Sequence, residues 1–272
     1  MRGASRTALG VAVTRFDEII RGLDAGSLAR LSDDLFAVLH VVDTEHILRR
    51  SLSDPSRPGS SKTEVAQVLF SGKISAEALD IVGTLVSQRW SRPGEMADGL
   101  ENLAVLAEIA RADADGSVDE LEDELFRFGR IVESGPALRT ALVDQVVPAE
   151  RKVELVRGLL AGKATEATQR LVAEVVAHPR GRPPERAIAA LGKAVSDRRR
   201  RLVAVVRSAV ELDSQEKERL ARALAAIYGH DVQVKAEVDP SVLGGMSVQV
   251  GDELVDGTIA GRLDRLKRRF ER

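Results

Sequence analysis

Along most of this chain apolar residues recur every three or four positions, and only near the C-terminus does the pattern change to alternation. Val13, Phe16 and Ile20 fall on one helical face, as do Leu103, Leu106 and Ile109 further on. Leu28, Leu31, Leu35, Val38, Leu39 and Val42 form a longer stripe that begins at Ser27. Leu121, Leu125 and Phe128 form another, opened by Ser117 with Glu120 in the spacing of a capping box. Helices are also predicted over Lys62 to Phe70 and Arg151 to Leu160, ending near Gly72 and Gly162. Two more run from about Ser75 to Trp90 and from Thr165 to Ala177, each stopped by Arg-Pro. Asp54-Pro55 through Ser61 and the region of Pro148 are loops.

These elements occur in matching pairs. At an offset of 90 residues Gly72-Lys73 falls on Gly162-Lys163, Leu35-Phe36 on Leu125-Phe126, Glu18 on Glu108 and Arg92-Pro93 on Arg182-Pro183. The period is too long for a solenoid repeat, so it predicts a duplicated domain. The last helix of the first copy merges with the opening helix of the second near residue 100.

From Arg198 the character changes. Leu202 to Val210 is rich in β-branched residues and predicts a strand buried on both faces. Asp213 with Glu216 caps a helix whose inward stripe is Leu220, Leu224 and Ile227, ended by Gly229. Val232, Val234, Ala236 and Val238 then alternate with polar residues, which completes a strand, helix, strand crossover. Met246, Val248 and Val250 predict a further strand, joined through a Gly251-Asp252 turn to a short return strand, Glu253 to Val255. Asp256 is placed to cap a final helix carrying Ile259, Leu263, Leu266 and Phe270. The expected fold is α+β and mostly helical. Two tandem bundles of about six helices each, over residues 1–100 and 101–197, precede a small α/β domain over residues 198–272.

Composition narrows the function. Forty basic residues face 42 acidic ones, so no overall field draws the chain to nucleic acid or anionic lipid. The chain has no cysteine, which excludes disulfides and thiolate metal sites. No apolar run approaches the ~18 residues of a membrane span. Arg15, Asp17 and Glu18 come too early for a secretory signal, so an unprocessed cytoplasmic protein is expected.

Candidate chemistry is sparse. Gly72-Lys73 and Gly162-Lys163 lack the Ser or Thr that a phosphate loop needs next, and read as helix C-termini. Arg111, Asp113, Asp115, Gly116, Asp119 and Glu122 match calcium-loop spacing, but Arg111 stands where an oxygen ligand is required. Arg198 to Arg201 reads as a surface run of cations. His40, His46, His178 and His230 show no metal-ligand spacing and receive no function. Trp90 reads as a packing residue at a helix end, or as an anchor lining a groove for a partner helix. No catalytic set, cofactor site or metal site is expected.

One resemblance is specific. Asp239-Pro240, Leu243-Gly244-Gly245, Val250-Gly251-Asp252, Val255-Asp256-Gly257, Leu263 and Leu266 follow one another in an order that resembles the C-terminal signature of the δ subunit of F-type ATP synthases, whose mitochondrial counterpart is the oligomycin-sensitivity-conferring subunit. The resemblance implies a non-catalytic stator subunit joining the catalytic head to the peripheral stalk, so that rotation is coupled to proton-driven ATP synthesis. It implies a peripheral position at the cytoplasmic face of a bacterial plasma membrane, with no nucleic acid and no small-molecule substrate. In the family, the first and fifth helices of a bundle form a groove for the N-terminal segment of an α subunit, and the α/β unit holds the C-terminal helix of the b subunit. The matching positions are Val13, Phe16, Ile20, Leu79, Val82 and Val86, with Trp90 nearby, and in the second copy Leu103, Leu106, Ile109, Val172 and Val176. The family usually has one bundle, so two copies leave open which groove is used. If both are used, tethering raises avidity on the order of 10²–10⁴. A general helical adaptor with other partners is the alternative.

Overall fold

The computed structural model describes residues 3–144, 146–201, 203–228, 232–239, 242, 245–250 and 253–256. Twelve helices and four strands lie among these residues, in two compact units, Met1–Val195 and Ser196–Arg272.

The N-terminal unit is helical. Its elements are α1 (Ala4–Ile19), α2 (Ala25–Thr44), α3 (His46–Ser53), α4 (Gly59–Phe70), α5 (Ala76–Ser87), α6 (Pro93–Ala114), α7 (Val118–Ser134), α8 (Pro136–Val143), α9 (Ala149–Leu160), α10 (Glu166–Ala177) and most of α11 (Pro184–Arg201), whose last turns belong to the second unit. Both ends of α3 and α8 differ by 90 residues, and so do those of α4 and α9 and of α5 and α10.

Local chemistry repeats with them. Gly72 and Gly162 leave α4 and α9 at φ 73° and 68°, a left-handed conformation that suits a residue without a side chain. Ser75 and Thr165 cap α5 and α10 by accepting from the N–H groups of Ala78 and Thr168. The N–H of each cap residue donates to an acid on the second helix of its own copy, Ser75 to Asp34 at 2.7 Å and Thr165 to Glu124 at 2.9 Å. Asp54 and Asp144 form matching turns, accepting from the N–H groups of Ser56 and Val146.

Helix α6 is the last helix of the first copy and the first of the second. The division expected after residue 100 therefore falls inside it. Residues on every face of α6 are buried, Met96, Leu100, Leu103, Ala104, Val105, Leu106, Glu108 and Ile109 among them, as expected of a helix surrounded by protein. One hydrophobic core accordingly runs through both copies, from Ala8 to Val195. The most extensive helix packing is that of α2 on α6.

Several local expectations need correction. The cap of α2 is Asp24, which accepts from the Ser27 N–H at 2.7 Å; Ser27 lies within the helix. Ser117 stands at the N-cap position of α7 but makes no side-chain cap bond, and its hydroxyl donates to the Ala112 carbonyl at 3.3 Å. Helix α5 ends at Ser87, short of Trp90. Arg198 is buried rather than solvated, since four successive residues at 100° intervals cannot all face outward from α11.

The C-terminal unit contains β1 (Val203–Ser208), α12 (Ser214–Tyr228), β2 (Gln233–Val238), β3 (Met246–Val250) and β4 (Glu253–Asp256), with strand order β2-β1-β3-β4. β1 pairs in parallel with β2 and antiparallel with β3, and β3 is antiparallel to β4. Asp213 and Glu216 form the expected capping box, at 2.7 and 3.0 Å. Val250 pairs with Glu253, so a two-residue connection joins β3 and β4.

β1 is buried on one face rather than two. Ala204, Val206 and Ser208 are covered, whereas Arg207 is exposed and pairs with Glu237. The core combines Ala204, Val206, Leu212, Leu224, Val232, Val248 and Val250. Ile227 and Val238 lie mostly outside it, at 68% and 55% exposure.

Candidate partner-binding surfaces

The two predicted grooves are the seam between α1 and α5 in copy one and the seam between α6 and α10 in copy two. Along the first, Phe16, Val82 and Val86 are core residues, while Val13, Ile20 and Leu79 pack on the core and keep part of their surface. Arg15 straps this seam from outside. Its Nε and Nη2 donate to the Asp80 carboxylate at 3.0 and 2.7 Å, and Nη1 reaches Glu18 at 2.9 Å. The hydrogen bonds from Arg15 hold the Asp80 carboxyl below its ordinary value, against the opposing effect of desolvation.

Trp90 is buried at the edge of copy one. Its indole N–H donates to the Leu85 carbonyl at 2.9 Å, and its ring lies against Gly99 of α6. Lys62 is buried too, and its Nζ donates to the Gln88 carbonyl at the end of α5 at 2.6 Å. Burial lowers the Lys62 ammonium below its ordinary value.

In copy two the corresponding seam is covered. Leu103, Leu106, Ile109, Val172 and Val176 are all buried. The covering element is α2 of copy one, which packs on α6 and is bonded to α10. Ser32 donates to the Ala104 carbonyl at 3.3 Å, Asp33 pairs with Arg170, and His40 Nε2 lies 2.6 Å from Glu174 Oε1.

Equivalent acids show the difference directly. The Glu18 side chain is 47% exposed, whereas that of Glu108, 90 residues later, is 1% exposed. Glu108 is held by Arg111 at 2.9 Å and by Arg170 at 3.1 Å. Burial nevertheless pushes its carboxyl above the ordinary value.

The sequence profile of the ATP synthase delta (OSCP) subunit family matches residues 104–270, which comprise most of copy two and the α/β unit. ATP synthase subunit delta of Streptomyces griseus is 45% identical over 99% of both chains. The subunit of that name from Thermobifida fusca is 42% identical and that from Acidothermus cellulolyticus 44%, again over 99% of each chain. The chain belongs to the ATP synthase delta (OSCP) subunit family. It is a structural, non-catalytic stator subunit of the peripheral stalk, and the reading as a general adaptor falls away. The relatives match across copy one as well, so the two-copy length is theirs too. A chain of the Toxoplasma gondii mitochondrial ATP synthase hexamer matches 64% of this chain and 98% of its own, at 16% identity and TM-score 0.35, too distant to carry an argument.

The described part of the family signature closes the sheet. Asp239 follows β2 and donates its N–H to the Ser208 carbonyl at 2.9 Å, and Gly245 precedes β3 at φ 82°. Asp256 is the last residue of β4, opposite Ser247. Pro240, Gly244, Gly251, Gly257, Leu263 and Leu266, with the helix expected after Asp256, lie outside the described residues. No described helix is long and apolar enough to cross a membrane.

The lateral cover of α2 over copy two has no local signal in the sequence. Nor does a cluster of His40, Glu174 and His178, whose members come from opposite copies. The four-residue spacing of Glu174 and His178 is its one trace.

Proposed function

We propose that this stator subunit grips the catalytic head through the α1/α5 seam of copy one, with the N-terminal helix of an α subunit as the occupant, and that the C-terminal α/β unit holds the stalk helix of the b subunit. The observation that carries the choice of copy is burial. Val13, Ile20 and Leu79 retain apolar surface, while in copy two Leu103, the counterpart of Val13, is buried and the counterparts of Ile20 and Leu79 are Ala110 and Gln169. A helix docked through three or four such anchors gains roughly 1.5–3 kcal/mol for each large side chain that it buries fully. One open seam also argues for a single α-subunit terminus per chain, in place of two held with avidity.

The test is calorimetric titration of a peptide from the N-terminus of the cognate α subunit into the full chain and its variants. Leu79→Glu and Val13→Glu are expected to weaken binding by about tenfold or more, while Phe126→Glu, on the exposed face of α7, leaves it unchanged. Unchanged binding in both seam variants would place the grip on the head elsewhere. Full-length variants are needed because truncation at residue 100 would cut α6 in two.

A further inference from the structure

We propose that His40, Glu174 and His178 form a binding site for a divalent transition-metal ion of the zinc type, joining α2 of copy one to α10 of copy two. The site goes beyond the stator role and uses none of the seam residues. Each of the three side chains offers one ligand atom, and these atoms lie within 4.8 Å of one another. Two imidazoles and one carboxylate are the donors that suit zinc, with a fourth position left for water. A tetrahedral ion bound at ~2.0–2.2 Å would bring its ligand atoms to about 3.3 Å apart. Side-chain rotation covers that change.

The His40 and His178 rings are stacked, with centroids 3.8 Å apart and planes 28° from parallel, and binding one ion in both ring planes requires one imidazole to turn about its side-chain bonds. His178 is the C-terminal cap residue of α10 and is exposed, which gives an ion a way in. Glu174 lies four residues before it, on the same face of the helix. The nearby guanidinium of Arg180 is engaged by Asp43, Asp98 and Glu101.

His40 and Glu174 are 134 residues apart in sequence. An ion bound between them would pin α2 over the α6/α10 seam. It would stabilise the folded chain by mass action, since the unfolded chain scatters the three ligands.

The experiment uses the full chain without a histidine tag, stripped of metal, in thermal unfolding and calorimetry with zinc chloride and, separately, magnesium chloride. One zinc ion per chain and a higher Tm with zinc alone are expected. His178→Ala should weaken zinc binding by about tenfold or more, while His46→Ala, on α3, should bind as the parent does. Cobalt(II) should give the strong visible absorption of a four-coordinate site in the parent and lose it in Glu174→Gln. The proposal is overturned if zinc leaves the Tm unmoved, if magnesium matches zinc, or if His178→Ala binds like the parent.

Discussion

Arg170 donates to Glu108 where, 90 residues earlier, the same two positions hold Asp80 and Glu18. In copy one both positions are acidic, and Arg15 binds them together at the surface. The counterpart of Arg15 is Val105, which is buried in the core. The cation has thus moved from the first helix of the copy to the fifth, and the salt link survives the burial of its position. Arg170→Ala would leave Glu108 buried with Arg111 as its remaining guanidinium partner, and is expected to destabilise the chain by about 2–4 kcal/mol. Urea unfolding measures this. A loss below about 0.5 kcal/mol would mean that Arg111 alone satisfies the acid. The double variant Glu108→Leu, Arg170→Met should recover most of the stability.

Asp80 supplies a prediction about pH. Its folded-state pKa lies below the unfolded value of about 3.9, chiefly because Arg15 donates to its carboxylate. The pair therefore stabilises the fold at every pH above the unfolded value, and that contribution fades as the pH falls through the lower, folded value. Asp80→Asn should be less stable than the parent at pH 7, with the gap closing below about pH 4. Thermal unfolding across that range checks it, and a gap independent of pH would assign the effect to packing.

Gly99 tests the junction of the first copy with α6. A Cβ added there would lie 2.7 Å from the Trp90 ring and 3.3 Å from Leu85 Cδ1. Trp90 is buried and hydrogen-bonded to Leu85, so it has little freedom to yield. Gly99→Ala should destabilise by about 1–3 kcal/mol and alter the emission of this single tryptophan. Emission and stability like those of the parent would show that the ring can move.

Phe36 and Phe126 occupy matching positions in α2 and α7. Phe36 packs on the core and lies 6.5 Å from the His40 ring, whereas Phe126 is 68% exposed. Phe36→Ala should therefore destabilise by about 1–3 kcal/mol and Phe126→Ala by no more than about 0.5 kcal/mol. Equal losses in denaturant unfolding would contradict the asymmetry between the copies.

Signals that act within a few residues were legible in the sequence. Gly72 and Gly162, Ser75 and Thr165, and Asp213 with Glu216 all mark helix ends through bonds to near neighbours. The 90-residue offset carried these signals from one copy to the other. Competition at short range was less legible: Asp24 rather than Ser27 takes the cap of α2, and the Ser117 hydroxyl finds Ala112. Burial of Glu108 could not be read at all, because its partner Arg170 lies 62 residues away on α10, and the identical residue at position 18 is exposed. His40 and Glu174 were hidden for the same reason, since no local rule joins residues of different copies. Alternation overstated the burial of Val238, just as helical spacing overstated that of Ile227. Both stand at the ends of their elements, where neighbours run out.

The sharing of α6 between the copies bears on how load passes through the molecule. A flexible linker between two modules would let each swing and would absorb torque as motion. Here the connection is a continuous helix of 22 residues, about 33 Å long, gripped by packing around its whole circumference. Strain applied at one copy reaches the other through a hydrogen-bonded rod, and the element that ties the copies together is also one that the core of both copies holds in place.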